Sequence, residues 1–290
     1  MFYDSKERLR LGLRDLYYYG QSIRNVSGKN RQIFLCNSFP KSGTHMLSQI
    51  IQSVNTVNYW NDIVSVQSLS GNMNSCNHIK WKIGSAPNNS IVRSHLFCDP
   101  IINDILDRNG AVKFFIYRDL RDVAVSHARW VLNEPRIFLH KIYKSFENFD
   151  DCLMASIRGL PLGNPTFNNS SQPNIGEDFK RWRGWLDQTD TYSVKFEDLV
   201  GERGGGREKE RLKHVRAVLE KLGIPTISDE DLKPYQSMNM NPENSHTFRK
   251  GNKGSIGGWR NTFKPEHITA FKTIAGELLI ELGYEDNYNW

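Results

Sequence analysis

Residues 31–51 constrain the fold more than any other stretch of this chain. Ile33, Phe34 and Leu35 form a short apolar run, the pattern of a buried strand. Ser38, Phe39, Pro40, Lys41, Ser42, Gly43 and Thr44 follow, a loop with a lysine, a glycine and hydroxyls. Met46, Leu47, Ile50 and Ile51 then recur at helical spacing. Strand, loop and helix N-terminus in that order make an anion cradle, because the first amides of a helix have no acceptor within it. Lys41 adds a compact cation, and Ser42 and Thr44 add hydroxyl donors. The segment predicts a phosphate or sulfate ligand. Its order differs from the nucleotide-triphosphate loop G-x-x-x-x-G-K-[ST]: here lysine precedes Ser42-Gly43-Thr44, and no glycine lies shortly upstream.

The rest of the chain alternates strand and helix patterns. Strands are predicted over 91–97, 112–117 and 192–196, and helices over 5–19, 121–131, 179–186, 209–222 and 265–282. Residues 53–90, rich in Asn and Ser, read as a lid or substrate loop, 160–176 as a loop, and 233–262 as irregular and basic. Such alternation implies an α/β fold, a single domain over 1–290 whose central parallel sheet is flanked by helices, with a P-loop-like nucleotide site.

The net charge of +6 is not gathered into a run of five or six like charges, so it reads as a basic pocket and not as a nucleic-acid tail. Cys36, Cys76, Cys98 and Cys152 are widely spaced and form no C-x-x-C pair, which points to reduced thiols and a cytoplasmic location, with no metal centre. The N-terminal residues lack an apolar signal core, and no window reaches the roughly 18 apolar residues of a membrane span. No nucleic-acid or membrane partner is expected.

Three further segments carry chemistry. Val112–Tyr117 runs into Arg118, with Ser126 eight residues on in the following helix. An arginine fork and a hydroxyl suit a phosphate, although a surface Arg–Asp pair at a helix start would read the same way. Phe248 to Arg260 holds Arg249, Lys250 and Gly251 within a glycine-rich basic stretch, which is also compatible with a solvated turn. His95 ends a predicted strand, where ligands of a parallel sheet gather, and imidazole can take a proton from an alcohol near neutral pH.

Together these segments resemble the sulfotransferases that use 3′-phosphoadenosine 5′-phosphosulfate (PAPS), whose loop reads P-K-S-G-T. The resemblance spans residues 31 to about 263, with the motifs in the family's order. It implies that Lys41, Ser42, Gly43, Thr44 and His45 surround the 5′-phosphosulfate, within 31–51. Arg118 and Ser126 would hold the 3′-phosphate, within 112–131. Arg249, Lys250 and Gly251 would close over it, within 248–260. His95 would be the general base, with Lys41 and Ser42 also catalytic, and Ser42 holding Lys41 aside until the acceptor binds. The products would be a sulfated hydroxyl or amine of a small acceptor and adenosine 3′,5′-bisphosphate (PAP), without a metal. A bacterial natural-product tailoring role is one candidate, and assembly as a homodimer is left open.

The sequence departs from the family pattern at four places. Arg93 replaces a lysine two residues before the histidine, and His45 replaces a threonine. Met46 stands where a tryptophan stacks on adenine, and Phe196 where a tyrosine lies near it. The adenine pocket is therefore expected to be softer, with the Met46 sulfur and the Phe196 ring as its walls. A P-loop kinase, with Asp119 or Asp122 on magnesium, and a non-catalytic polyanion-binding protein are the alternatives. For the acceptor, Trp60, Trp81, Trp130, Phe138, Phe146 and Phe149 offer apolar walls, whereas Asp62, Glu134, Glu147, Asp150 and Asp151 suit a cation.

Overall fold

The apolar run after residue 32 becomes the middle of the sheet. The computed structural model describes residues 32–54, 57–67, 73–160, 172–225, 228–230, 232 and 256–290. In chain order its main elements are β1 (Ile33–Ser38), α1 (Thr44–Gln52), β2 (Asn58–Ser65), α2 (Cys76–Ser85), β3 (Ser90–His95), α3 (Pro100–Arg108) and β4 (Ala111–Tyr117). Then come α4 (Leu120–Asn133), α5 (His140–Ser145), α6 (Phe149–Arg158), α7 (Ile175–Arg183), β5 (Thr191–Lys195), α8 (Phe196–Leu199), α9 (Glu208–Lys221) and α10 (Pro265–Glu281). A 3-10 turn, Gly258–Asn261, precedes α10.

The five strands pair in the order β2-β3-β1-β4-β5, and every pairing is parallel. All six residues of β1 are buried. Its alternation feeds two cores. Ile33 and Leu35 join Val92, Phe115, Phe179, Trp185 and Phe271 on one face. Phe34 and Cys36 join Ile91, Phe114, Leu47, Ile50 and Val218 on the other. Helices therefore cover both faces, as the sequence predicts for a single α/β domain.

The stretch 53–90 is more ordered than its composition predicts, because it holds β2 and α2. β2 is an edge strand, and α2 buries only Ile79, Ile83 and Ser85. Neither element needs the dense apolar pattern of a central strand or a fully buried helix. Trp60 anchors β2 in the core at 2% exposure, so it is no acceptor wall. Three helices were not anticipated: α3 between β3 and β4, and α5 and α6 directly after α4. α3 opens on Pro100, with the Asp99 carboxylate accepting from the Ile101 and Ile102 amides. The predicted helix over 5–19 lies outside the described residues, as does most of the predicted loops over 160–176 and 233–262.

The C-terminal tail is fastened to the start of α4. Arg121 is 1% exposed, and its guanidinium lies 4.1 Å from the Trp259 ring centre and 4.5 Å from that of Trp290. It donates to Asp119 at 2.8 Å and to Glu285. Removing one member of a buried ionic group leaves the others uncompensated. Arg121→Ala should therefore lower the unfolding free energy by about 3–5 kcal/mol in urea titration. A loss below about 1 kcal/mol would match a surface pair and contradict this packing.

Candidate active site

β3, β1 and β4 lie side by side, so their carboxyl ends meet at one edge of the sheet. His95 ends β3, the 39–43 loop leaves β1, and Arg118 follows β4. Ligands of open α/β sheets bind at such an edge, where the chain leaves neighbouring strands in opposite directions.

The loop folds through two left-handed residues, Lys41 at φ 70° and Gly43 at φ 105°. The Gly43 conformation disfavours a side chain, and a Cβ there would stand 2.6 Å from Phe196 Cδ2. The Ser42 amide closes the turn on the Phe39 carbonyl at 3.2 Å. The Gly43 and Thr44 amides at the mouth of α1 have no acceptor among the described residues. The Ser42 hydroxyl is fully buried and makes no hydrogen bond among the described residues. Lys41 Nζ lies over the Trp130 ring, 4.9 Å from its centre. Burial, and secondly the Arg118 charge, push the Lys41 ammonium down to about 8. An anion at the loop would relieve both effects and find an unused hydroxyl and two amides, so the residues present fit a phosphosulfate.

His95 is oriented by the last residue of β1. Its Nδ1 lies 3.1 Å from the Ser38 hydroxyl and 3.1 Å from the Ser38 carbonyl oxygen. A carbonyl only accepts, so Nδ1 carries the proton and Nε2 is left with a lone pair. Burial pushes the imidazole down to about 4. The Ser38 backbone bond opposes this, and the Lys41 and Arg93 charges add to it. His95 is therefore neutral at physiological pH. The Ser38 hydroxyl also meets Thr44 Oγ1 at 2.6 Å, which ties the loop to the histidine.

Two departures from the family pattern touch each other. Arg93, 8% exposed, donates from Nη1 to His45 Nδ1 at 3.2 Å. The proton of neutral His45 then sits on Nε2, facing away from the arginine. Forty-eight residues separate the two in sequence, so no local pattern reveals the pair.

Arg118 lies 4.2 Å over the Phe196 ring and reaches Asp122 Oδ2 at 3.4 Å. Asp122 in turn accepts from the Gly257 and Trp259 amides, each at 2.9 Å. The end of the basic C-terminal segment is thereby fixed to the Arg118 motif, and sequence reasoning gave Asp122 no such role. Phe196, 1% exposed, backs the Gly43 turn and Arg118. Met46, 2% exposed, packs in the second core. Glu197 accepts from the Asp119 amide at 3.1 Å and the Tyr284 hydroxyl at 2.8 Å, and burial pushes its carboxyl up to about 7. Ser126 lies half-buried in α4. Arg249, Lys250 and Gly251 lie outside the described residues.

A family model described as the sulfotransferase domain matches residues 30–283. The chain belongs to the sulfotransferase family. Its fold is similar to that of mouse sulfotransferase SULT7A1 complexed with PAP, at 18% identity and a TM-score of 0.59, covering 89% of this chain and 88% of that one. It is also similar to retinol dehydratase in complex with androsterone and inactive cofactor PAP, at 16% identity and a TM-score of 0.55, covering 90% and 85%. Among curated proteins, no sequence matches the chain significantly.

Gly43→Ala should strain the loop, because it adds a Cβ both at positive φ and against the Phe196 ring. The expected loss is about 1–3 kcal/mol of folding stability, read by chemical denaturation. Unchanged stability would mean that the loop does not turn through this conformation.

Proposed function

We propose that this chain transfers the sulfuryl group of PAPS to a hydroxyl or amine of a small molecule, with His95 as general base. The observation that carries this reading is the pairing of Lys41 with a neutral His95 whose Nε2 lone pair has no partner among the described residues, on adjacent strand ends. Lys41, the unused Ser42 hydroxyl and the Gly43 and Thr44 amides are suited to the 5′-phosphosulfate, with His45 and Arg93 beside them. Arg118 and Ser126 are assigned the 3′-phosphate, and residues 248–260, with Arg249, Lys250 and Gly251, the closure over it. The PAP in the structural neighbours supports this assignment.

In the reaction, His95 Nε2 takes the acceptor's proton as its oxygen or nitrogen attacks sulfur. The new bond to sulfur forms while the bridging sulfur–oxygen bond to the 5′-phosphate breaks, and PAP leaves with the electron pair. Negative charge grows on that bridging oxygen, and the Lys41 ammonium and the loop amides stabilise it. The Ser38 carbonyl steadies the imidazolium that forms, since it already accepts from Nδ1. The Lys41 ammonium, which rests over the Trp130 face, would move off it to reach the ligand.

Acceptor class follows from the neighbourhood of Trp130. Phe138, Phe146 and Phe149 pack with Trp130 around one apolar cluster. Glu134 is engaged by Arg136 and Asp150 by Lys264, which argues against both as recognition groups for a cationic acceptor. A neutral, partly aromatic acceptor, such as a natural product, suits this wall better. No described helix is long and apolar enough to cross a membrane, and the proposed acceptor is a dissolved small molecule met in the cytoplasm.

Two tests follow from the protonation states. His95 must be neutral and Lys41 charged, so kcat/KM should rise with pH through about 4 and fall through about 8. Lys41→Ala should remove the basic limb and lower kcat by roughly 10²–10³. A profile flat across pH 8 in the unmodified enzyme would contradict the role of Lys41. His95→Ala should retain PAP affinity by calorimetry and lose roughly 10²–10⁴ in single-turnover transfer. Retained transfer would move the base elsewhere.

A further inference from the structure

A second histidine stands beside Lys41, and its hydrogen bonds fix which nitrogen it offers. His127 Nδ1 lies 2.9 Å from the Ser156 hydroxyl, which lies 3.0 Å from the Tyr143 hydroxyl, which donates to Gln172 Oε1 at 3.0 Å. The directions are forced from the far end. An amide oxygen only accepts, so Tyr143 gives its one proton to Gln172. Ser156 must then donate to the Tyr143 oxygen, which leaves a Ser156 lone pair to accept the Nδ1 proton of His127. The imidazole is thus held with Nε2 as a bare acceptor, and that nitrogen has no hydrogen bond among the described residues.

The surroundings place this acceptor near the lysine, with Trp130 in reach of both. The Trp130 ring has Lys41 Nζ 4.9 Å from its centre and the His127 ring 6.1 Å away. Tyr143 stands edge-on to His127 at 6.0 Å. Burial, and secondly the Lys41 charge, push His127 down to about 4, so it is neutral wherever the enzyme works. Lys41 therefore lies in the electrostatic reach of two neutral imidazoles, each tied back through Nδ1 and each presenting Nε2.

Two such acceptors ask for two donors. Resting on the sulfuryl-transfer reading above, we propose that His127 Nε2 accepts a hydrogen bond from a second donor group of the acceptor molecule, beside the one that reacts at His95. The substrate class is then a paired donor, such as a catechol, a vicinal diol or an amino alcohol. His127 positions the acceptor and selects it; the Gln172–Tyr143–Ser156 chain keeps its lone pair aimed.

The test compares para-nitrophenol with its catechol analogue, which adds one hydroxyl next to the reacting one, as ligands of the full chain saturated with PAP. The unmodified protein should bind the catechol about tenfold more tightly, the value of one hydrogen bond to an otherwise unsatisfied acceptor. His127→Phe should bind both probes alike while keeping its PAP affinity. Ser156→Ala, which frees the histidine to take the other tautomer, should lose part of the preference and keeps the proposal testable if the phenylalanine variant does not fold. Equal binding of both probes by the unmodified protein would overturn the proposal. So would full preference in Ser156→Ala, or a His127→Phe variant that weakens PAP and both probes together, the mark of a structural histidine. Failure of PAP to bind the unmodified protein would overturn the sulfuryl-transfer reading itself, and this proposal with it.

Discussion

The Ser38 side chain holds the two halves of the site together. Its hydroxyl meets Thr44 at the start of α1 and His95 at the end of β3, while its carbonyl receives the His95 proton. One residue at the end of the central strand therefore sets both the 39–43 loop and the tautomer of His95. The arrangement requires β1 to lie between β3 and β4, because only then do the loop, the histidine and Arg118 emerge side by side. Alternating burial of β1 on two cores keeps that strand central, so the apolar run that begins at Ile33 underlies the placement of Lys41.

Electrostatics follow from the same geometry. Lys41 feels Arg118, and His95 feels both Lys41 and Arg93, so positive charge is gathered where desolvation already opposes it. That combination costs folding energy and is returned when an anion binds, as is usual of sites poised for charged substrates. The buried Asp122 carboxylate offsets part of it beside Arg118 and spends its remaining lone pairs on the Gly257 and Trp259 amides. Arg121, between two tryptophans, fixes the same corner from the other side. The start of α4 and the Gly257–Trp259 turn are thereby held together, although 135 residues separate Asp122 from Gly257.

Much of this was legible in the sequence because it is local. Lys41 to Thr44, His95 and Arg118 are each marked by a strand pattern and a following loop, and strand ends are where a parallel sheet places its ligands. The parallel sheet with helices on both faces followed from the same alternation. What escaped depends on long-range contact. β2 was hidden because an edge strand needs little apolar patterning, and nothing local shows that Phe196 and Met46 are buried. The His45–Arg93 pair and the Gln172–Tyr143–Ser156–His127 chain join residues from separate elements. No spacing rule reaches across those distances; only the packed chain brings the atoms together.

The central claim is that adjacent strand ends build a site for a nucleotide carrying both a 5′- and a 3′-anion. Calorimetric titration of the unmodified protein with PAP and with adenosine 5′-monophosphate, which lacks the 3′-phosphate, tests it most directly. The account predicts saturable binding of PAP at one site per chain, with adenosine 5′-monophosphate weaker by about tenfold or more, as expected for loss of a charge-assisted contact to Arg118. Equal affinity for the two nucleotides, or no binding of PAP, would contradict it.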